Sequence, residues 1–586
     1  MDSGKTTKEI LQEALKSQKR IPLYNKEALA AMKKDFESYK NTVVQEKDRK
    51  NWVVTPKTIM GSNIPRNLTY TPLDNEDFDY QNDLGNAGQA PFTRGLHANM
   101  YRGKSWTLRQ LSAAGSPQEV NARIKWLLSR GSTGSNLALD LSTVQMFDSD
   151  EREALGQVGT VGVPVDCTED MMEIYKDIPV DKISASIVTH FPRNTSIILP
   201  FYLVAAERRG INWNTLMGSS QNDFIMESVV RSAIEYIPPR DDFRVMCDNI
   251  EFIRNNVPKW NFVTLNGYNL REWGTTGTTE MAVAIANGIE ILKDQAKRGY
   301  DADFVGERLA FFWSPANDFF EEVARLRAVR RLWHRIMKYQ FGCKKDRSTW
   351  SKCHVQTSGV SLMREEPLTN VVRSAYHAMA AALGGAQSLH VDGYDEAFSI
   401  PSEEANLLAL RTQQVLEAET QITQVVDPMA GSFYVEALTN LIEQNIINEI
   451  DEIEKLGGLV EAVDKGWLHE KVSKNIQTEQ GLMEDGTIKI VARNYFRDPN
   501  LKMPEIWVKE YDEKLAKAMT DKLARIRSTR DNNKAQTALK ALADAKKSKG
   551  NVMALCVECA RADVTKGEMR RAFIEAFGSW KSPLYS

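Results

Sequence analysis

ISASIVTH (183–190), FVTLNGYN (262–269) and HVQTSGVS (354–361) are three short runs in which small polar residues alternate with apolar ones. Residues two apart on a β-strand share one face, so each run predicts a strand with a polar side. The residues of that side are Ser184, Ser186, Thr264, Asn266, Gln356 and Ser358. Turned inward, this side would line a channel for a long, partly polar ligand. The alternative is that it faces neighbouring helices and forms its hydrogen bonds there.

These runs belong to a longer alternation of strands and helices through the middle of the chain. Stretches with helical periodicity separate them, such as FFEEVARLRAVRRLWHRIMKYQ (319–340) and NVVRSAYHAMAAAL (370–383). The predicted strands are Leu137–Ser142, Lys182–Val188, Thr215–Ser220, Phe262–Tyr268, Leu309–Ser314, His354–Gly359, Ala386–Val391 and Gln424–Pro428. Strands that alternate with helices pair in parallel through right-handed crossovers. Eight such units predict an α/β fold, a (β/α)₈ TIM barrel with its active site at the carboxyl ends of the strands.

The sequence on either side of residues 91–480, which would form this barrel, has a different character. Residues 1–90 predict an N-terminal arm for subunit contacts: charged and helix-prone to Lys50, then rich in Pro, Asn and Asp. Aromatic residues such as Trp52 and Phe78 argue against the alternative, a disordered tail. Residues 481–586 are rich in Lys, Ala and Asp with helical spacing, which predicts a C-terminal helical or linker region.

The composition excludes several classes of protein. The chain has 586 residues, 75 basic and 78 acidic, for a net charge of −3, and it lacks the basic domain of a nucleic-acid binder. The first twenty residues contain no apolar signal-peptide core, and the longest apolar stretch, Ser196–Ala206, is too short to span a bilayer. Six cysteines in so long a chain predict no disulfide framework. We therefore expect a cytoplasmic protein with neither nucleic-acid nor membrane partners.

A series of longer motifs carries a specific resemblance. In chain order they are PFTRG (91–95), MYRGKSWTLRQ (100–110), SQNDFIMESVVR (220–231), NGY (266–268), RLAFFW (308–313), FFEEVARLRAVRRLW (319–333), HVQTSGVSL (354–362), QSLHVDGYDEA (387–397) and VVDPMAGSFYVEALT (425–439). These motifs resemble the large subunit of the methylmalonyl-CoA mutase family, the adenosylcobalamin-dependent acyl-CoA mutases. The resemblance implies a (β/α)₈ barrel with the pantetheine of an acyl-CoA along its axis, in agreement with the inward polar face.

The same resemblance implies an isomerase that catalyses a radical 1,2 carbon-skeleton rearrangement with adenosylcobalamin. The family's cobalamin domain carries a D-x-H-x-x-G motif, whereas none of the seven histidines here has Asp two residues before it. We therefore expect no cobalamin-binding domain in this chain, and a separate small subunit with D-x-H-x-x-G that binds the cofactor jointly with it. A G-protein chaperone for cofactor loading is a further candidate partner.

Matched motifs carry the family's residue roles onto this sequence. The resemblance assigns catalytic roles to Tyr268, Asn269, Arg231 and Gln221. It assigns substrate contacts to Asn99, Met100, Lys104, Thr107, Arg109, Leu111, Asn136, Ser219, Arg308, His354 and Gln356. It assigns contacts with the adenosyl group and corrin to Leu139, Glu272, Gly359, Asp392, Glu396 and Ala397, and it assigns no metal ligand.

Departures from the family pattern bear on the substrate. Leu111 replaces a tyrosine that wedges the substrate carboxylate, Asn269 replaces a histidine that bonds the thioester carbonyl, and Asp392 replaces an asparagine near the ribose. Arg231 is the arginine that pairs with a substrate carboxylate, which a guanidinium binds bidentately. This chain keeps the arginine, Arg231, and has Leu111 in place of the tyrosine. Together these favour a substituted succinyl-CoA, bulkier than methylmalonyl-CoA, that rearranges to a branched malonyl-CoA.

Three alternatives accompany this substrate prediction. The first is methylmalonyl-CoA mutase activity itself. The second is another branched acyl-CoA, of isobutyryl, 2-hydroxyisobutyryl or pivalyl type. Ala138 disfavours the hydroxyacyl substrate, because the relatives specific for it have Asp there, and Arg231 disfavours a plain monoacyl substrate. The third is a catalytically weakened assembly or binding subunit, which Asn269 favours and Tyr268, Arg231 and Glu396 oppose.

Overall fold

The parallel strands at the centre of the chain form two sheets in the computed structural model, which describes residues 4–110, 115–226, 236–498, 500–501, 505–506, 508 and 510–580. One sheet has the order β4-β5-β6-β7 and the other the order β3-β11-β10-β9-β8. Their strands are β3 (Thr107–Leu108), β4 (Gly134–Leu137), β5 (Ser184–Ile187), β6 (Met217–Ser220), β7 (Trp260–Asn261), β8 (Val263–Asn266), β9 (Leu309–Trp313), β10 (Cys353–Gln356) and β11 (Ser388–His390). In the N-terminal arm, β1 (Val53–Val54) and β2 (Arg66–Asn67) pair antiparallel. The protein is thus a mixed α/β structure with parallel sheets.

Helices surround and connect these strands. Those of the N-terminal arm are α1 (Thr7–Lys16), α2 (Lys26–Thr42) and α3 (Glu46–Lys50). The central helices are α4 (Met100–Gly103), α5 (Pro117–Ser129), α6 (Leu141–Val144), α7 (Thr168–Ile174), α8 (Pro192–Arg208), α9 (Pro239–Asn256), α10 (Tyr268–Trp273), α11 (Gly277–Lys297), α12 (Ala302–Gly306), α13 (Phe319–Arg335), α14 (Thr369–Leu383), α15 (Glu403–Ala418), α16 (Phe433–Lys455), α17 (Leu459–Asp464) and α18 (Trp467–Glu484). The C-terminal helices are α19 (Glu513–Thr529), α20 (Asn532–Ala543), α21 (Ala545–Ser548), α22 (Val552–Arg561) and α23 (Lys566–Phe577). Among the described residues, no helix combines the length and apolar character that a bilayer crossing requires.

The structure corrects two of the predicted strands. Leu137–Ser142 overlaps a strand only at Leu137, because the Asp140 carboxylate accepts a hydrogen bond from the Thr143 amide and begins α6. Gln424–Pro428 is a run of turns in which Val425 is 61% exposed, and the proline lacks the N–H that a sheet needs. The place beside β11 is taken instead by β3, which the hydrophobic pattern did not predict. The other predicted strands coincide with or overlap β5, β6, β8, β9, β10 and β11.

Parallel pairing places the carboxyl ends of neighbouring strands at one edge. Gln221 follows β6, Tyr268 lies just beyond β8, and Asp392 lies two residues after β11. The amide of Thr264 on β8 donates to the Gln221 carbonyl (3.0 Å), which connects β8 to the end of β6. The side chains that follow these strands therefore meet at one end of the fold.

Candidate active site

A cavity of about 420 Å³ has walls drawn from both sheets. Side chains from β3, β5, β6, β8, β9, β10 and β11 line it: Thr107, Arg109, Ser186, Ser219, Gln221, Thr264, Phe312, His354 and Ser388. Ser186 and Thr264 belong to the predicted polar face, so part of that face does line a cavity. Five of the predicted site residues meet here: Thr107, Arg109, Ser219, Gln221 and His354.

Arg109 crosses this cavity from one sheet to the other. Its Nε donates to Ser388 Oγ (3.1 Å) on β11, the neighbour of β3, and its Nη2 donates to Ser184 Oγ (3.0 Å) on β5. Its Nη1 has no hydrogen-bond partner among the described residues. Burial lowers the pKa of Arg109 to about 10, so the guanidinium stays charged at neutral pH.

His354 lies next to this arginine. Its Nδ1 is 2.9 Å from Ser388 Oγ, and burial, with the charge of Arg109, lowers its pKa well below the ordinary value. His354 is therefore a neutral imidazole at neutral pH. Such a group can exchange a hydrogen bond with a polar ligand without adding a charge.

Tyr268 is placed by the sharp turn between β8 and α10. A Cβ added to Gly267 would lie 2.6 Å from Trp313 and 2.7 Å from Glu280, so only glycine fits at this turn. Tyr268 and Glu272, four residues apart on α10, share one helix face. The Gln356 Nε2 donates to Tyr268 Oη (3.0 Å) and to Asp392 Oδ1 (2.9 Å).

Three carboxyl groups, which we call the carboxyl cluster, lie beside this tyrosine: Glu272, Asp392 and Glu396. Burial raises the pKa of Glu272 to about 7. Burial and the Glu272 carboxylate raise the pKa of Glu396 to about 8, and burial with both neighbours raises that of Asp392 well above its ordinary value. Within the described chain, no group of three His, Cys, Asp or Glu side chains is arranged to hold a metal ion.

Gly359 lies against both this cluster and Tyr268. A Cβ added there would lie 3.1 Å from Glu272 Oε2, 3.5 Å from Tyr268 Oη and 3.6 Å from Glu396 Cγ. Ala397 follows Glu396 and is half-buried. Six predicted residues thus share one small region: Tyr268, Glu272, Gln356, Gly359, Asp392 and Glu396.

The other predicted residues lie farther along the walls. Asn269 is buried. Its backbone N–H donates to Asn266 Oδ1 (2.8 Å), and its Oδ1 accepts a hydrogen bond from Asn266 Nδ2 (3.1 Å). Asn136 on β4 is buried, and its Oδ1 has no partner in the described part of the chain. Leu139 is buried and bridges to Val163.

The amino ends of the strands carry basic side chains. Burial and the neighbouring Arg347 and Arg254 lower the pKa of Arg308, which precedes β9. Burial and the charges of Arg308 and Arg347 lower the pKa of Lys352 to about 7. Of the residues predicted near α4, Asn99 and Lys104 are exposed and Met100 is buried.

Two predicted residues that bear most on the substrate, Leu111 and Arg231, lie outside the described residues. The sequence analysis in turn missed several cavity residues: Thr264 as a site residue, Phe312, Arg347, Trp350, Lys352 and Ser388. The alternation in LAFFW, which turns Ala310 and Phe312 to one face, was a signal for Phe312. Arg347 lies in a single 3-10 turn, Asp346–Thr349, and Trp350 follows it, and so short a segment offers no signal of periodicity.

The fold and the cavity define a parallel α/β protein with a cavity between its sheets and polar residues gathered at the strand ends. The family model described as methylmalonyl-CoA mutase matches residues 59–579. The chain belongs to this family, whose members are cobalamin-dependent mutases of the isomerase class. The predicted family and the predicted isomerase are both confirmed.

Curated relatives include proteins with different substrates. The chain is 36% identical over 522 residues to the 2-hydroxyisobutanoyl-CoA mutase large subunit of Aquincola tertiaricarbonis. This match covers 88% of this chain and 92% of that protein. It is 38% identical over 514 residues to the methylmalonyl-CoA mutase of Rhizobium meliloti, covering 87% and 71% respectively. It is 35% identical over 507 residues to the methylmalonyl-CoA mutase large subunit of Propionibacterium freudenreichii, covering 85% and 68%.

Proposed function

We propose that this chain is the large subunit of an adenosylcobalamin-dependent acyl-CoA mutase, which binds the acyl-CoA in the cavity between its sheets. The observation that carries the proposal is a set of polar atoms in the cavity wall without partners among the described residues: Arg109 Nη1, Gln221 Oε1 and Trp350 Nε1. Buried polar groups are expensive to leave unpaired, so such atoms indicate a ligand. Two donors and one acceptor suit the amides and thioester of a pantetheine chain.

The basic side chains near the cavity support one orientation of the acyl-CoA along it. Arg308, Arg347 and Lys352 lie toward the amino ends of β9 and β10, where the phosphates of coenzyme A would be attracted. Tyr268 and Gln356 lie at the carboxyl ends, where the acyl group would then be held. A cavity of about 420 Å³ is within the usual range of small-molecule sites.

The proposal includes a closed (β/α)₈ barrel over residues 91–480, flanked by the arm (1–90) and the C-terminal region (481–586). β7 and β8 are separated by a single residue, so the two sheets are continuous there, and β8 also contacts the end of β6. On the other side, Arg109 connects β3 and β11 to β5. A crystal structure with β3 paired to β4 would complete the ring, and an open gap there would refute it.

The residues at the strand ends fit an adenosyl group. The missing side chain at Gly359 leaves a recess walled by Glu272, Tyr268 and Glu396, and carboxyl groups and the Gln356 amide can bond ribose hydroxyls. When bound, adenosylcobalamin supplies the radical that starts the rearrangement. This chain would share the cofactor with a small subunit that carries D-x-H-x-x-G, and a G-protein chaperone is a candidate for loading it.

The chain's own residues would bind, orient and shield the substrate. Gln221, His354 and Asn269 would hold the acyl and thioester oxygens, and Arg231 would pair with a substrate carboxylate. Tyr268 would be the ring against the adenosyl group, and a closed cavity would keep water from reactive intermediates. All six cysteines are free thiols, which supports a reducing, cytoplasmic compartment.

Reconstitution tests this function. The chain is combined with a small subunit bearing D-x-H-x-x-G and adenosylcobalamin, and products are measured from methylmalonyl-, isobutyryl-, 2-hydroxyisobutyryl-, pivalyl- and substituted succinyl-CoA. We expect turnover only with both subunits, and Tyr268→Phe should lower kcat by about 100-fold or more with little change in KM. Thioester binding without turnover of any substrate would favour an assembly or binding subunit instead.

For the substrate we propose a substituted succinyl-CoA, supported by Arg231 and Leu111 in the sequence. Arg231→Gln should nearly abolish its turnover, because a substrate carboxylate left unpaired in a closed cavity costs about 3–5 kcal/mol. Leu111→Tyr should depress turnover of bulky substrates by roughly 1–3 kcal/mol of overpacking and spare methylmalonyl-CoA. Equal depression of both substrates by Leu111→Tyr would refute this choice and favour methylmalonyl-CoA.

A further inference from the structure

Three flat rings stand side by side across β8, β9 and β10. The rings of Tyr268 and Phe312 are stacked, with centroids 4.8 Å apart and planes 10° apart. The rings of Phe312 and His354 are also stacked, at 5.1 Å and 28°. We call these three residues the ring stack.

The strand register creates the ring stack. Phe312 is the pairing partner of Asn266 on β8 and of His354 on β10, so its ring lies between the side chains of both neighbours. The contacts continue beyond His354 through Ser388 and Arg109 to Ser184, around the wall of the cavity. One layer of side chains thus joins the cavity wall to the tyrosine near the proposed adenosyl site.

We infer that Phe312 is a positioning residue, which transmits occupation of the cavity at His354 to the orientation of the Tyr268 ring. This inference rests on the proposed function, since it takes an acyl-CoA as the occupant. Phe312 is only 4% exposed and is stacked on both sides, so a shift of one neighbouring ring changes its contact with the other. Offset-stacked rings prefer near-parallel planes, so a tilt at one end of the stack is passed to the other.

The arrangement of hydrogen bonds favours this direction of coupling. His354 is held at Nδ1 by Ser388 Oγ. Its other ring nitrogen and the ring face opposite Phe312 are left to meet a ligand. At the far end, Tyr268 Oη accepts a hydrogen bond from Gln356, and Gln356 is tied in turn to Asp392. The tyrosine is therefore held at its hydroxyl by Gln356, which also bonds Asp392, and at its ring face by Phe312.

The first test reads the tyrosine directly in the isolated full-length chain. 3-Fluorotyrosine is placed at position 268, and its ¹⁹F resonance is followed while acetyl-CoA is added. We expect acetyl-CoA to shift the resonance in the parent protein and in Phe312→Tyr, which keeps a ring. Phe312→Leu should bind acetyl-CoA within about threefold of the parent and lose the shift.

Phe311→Leu is the matched control, with the same substitution on the same strand. Phe311 is fully buried and stacks on Trp313 (5.1 Å, 14°), so its loss should lower thermal stability but leave the shift of the fluorine resonance. If Phe312→Leu binds acetyl-CoA and keeps the shift, Phe312 is a packing residue and the inference is wrong. If the parent does not bind acetyl-CoA, the proposed function fails first and the inference falls with it.

The second test uses the reconstituted complex. Phe312→Leu should lower kcat about tenfold or more while KM changes less than about threefold, and Phe312→Tyr should restore kcat. In a double-mutant cycle with Tyr268→Phe, the two losses should combine to less than their product, because both residues act in one step. Fully multiplicative losses would show that the two rings act independently.

Discussion

Arg271 and Glu272 are neighbours on α10, yet their side chains enter two clusters of opposite character, the first buried and the second partly buried. Arg271 joins the ion-pair network, which we define as Arg271, Glu280, Glu322 and Arg325. Its guanidinium bonds Glu280 (3.1 Å) and Glu322 (3.0 Å), and Arg325 completes the network at 2.5 Å from Glu280. Glu272 joins the carboxyl cluster, where its carboxylate accepts hydrogen bonds from Ser358 Oγ (3.0 Å) and the Val360 amide (2.7 Å), and the charge of Arg271 lowers its pKa against the effect of burial.

This difference is one of charge balance: guanidinium groups donate to the carboxylates of the ion-pair network, whereas the hydrogen-bond donors to the carboxyl cluster are neutral groups among the described residues. Against burial, which lowers it, the carboxylates of Glu322 and Glu280 raise the pKa of Arg271 above its ordinary value. In the carboxyl cluster, burial raises the pKa of Glu272 against its hydrogen bonds and the charge of Arg271, whereas burial and like charge act together on Asp392 and Glu396. Burial also raises the pKa of Glu280 to about 8 and of Glu322 to about 7, so the two clusters differ in the guanidinium partners of their carboxyls and not in the size of the pKa shift.

The largest effect is expected from breaking the ion-pair network. Arg271→Met would leave Glu280 and Glu322 with one guanidinium instead of two in a site that excludes water. We expect a loss of roughly 3–5 kcal/mol in the free energy of unfolding, measured as a lower urea midpoint and melting temperature at pH 7. A change within experimental error would mean that the network contributes no stability.

The carboxyl cluster should respond in the opposite sense, and with pH. The pKa of Glu396 is raised from 4.5 to about 8 by burial, Glu272 and Asp395, so ionising it costs the folded protein stability as pH rises between these values. Glu396→Gln removes that cost. Relative to the parent, the variant should be neutral near pH 4.5 and more stable by about 1–3 kcal/mol at pH 8.5, in urea titrations at both pH values. A variant less stable than the parent at pH 8.5 would contradict this.

Arg109 offers a test of an incompletely paired charge of the other sign. Arg109→Met removes a buried guanidinium whose Nη1 has no partner in the described chain, so we expect little loss of stability. Acetyl-CoA affinity, measured by calorimetry, should fall by about tenfold, or about 1.4 kcal/mol, since a charged donor to the ligand is lost. A large loss of stability with unchanged affinity would place Arg109 with the structural charges.

The smallest effect is expected at the surface. Arg240 pairs with Glu461 but its side chain is 71% exposed, so water already solvates both charges. Arg240→Met should change the free energy of unfolding by less than about 1 kcal/mol, under the urea conditions used for Arg271→Met. A loss as large as that of Arg271→Met would show that burial does not distinguish the two ion pairs.

Local pattern predicted much of the fold because sheet and helix periods are properties of short segments. The alternation in ISASIVTH and FVTLNGYN placed β5 and β8 and the polar faces of Ser186 and Thr264. The pattern failed at Leu137–Ser142, where an Asp140 cap begins a helix, and at Gln424–Pro428, where turns replace a strand. Capping bonds and a proline overrode hydrophobicity in both places.

The sequence by itself determined the family, the order of most strands, and the motif residues from Gln221 to Glu396. A motif can be matched residue by residue without any knowledge of the distances between its side chains. Only the tertiary structure decided which of these residues touch: Arg109 reaches Ser184, 75 residues away, and Phe312 lies between Tyr268 and His354. Such contacts depend on parallel register between strands far apart in the chain, which no local period specifies. The packing likewise decided that Arg271 lies in an ion-pair network and Glu272 in a carboxyl cluster, because charge balance is a property of the packed neighbourhood.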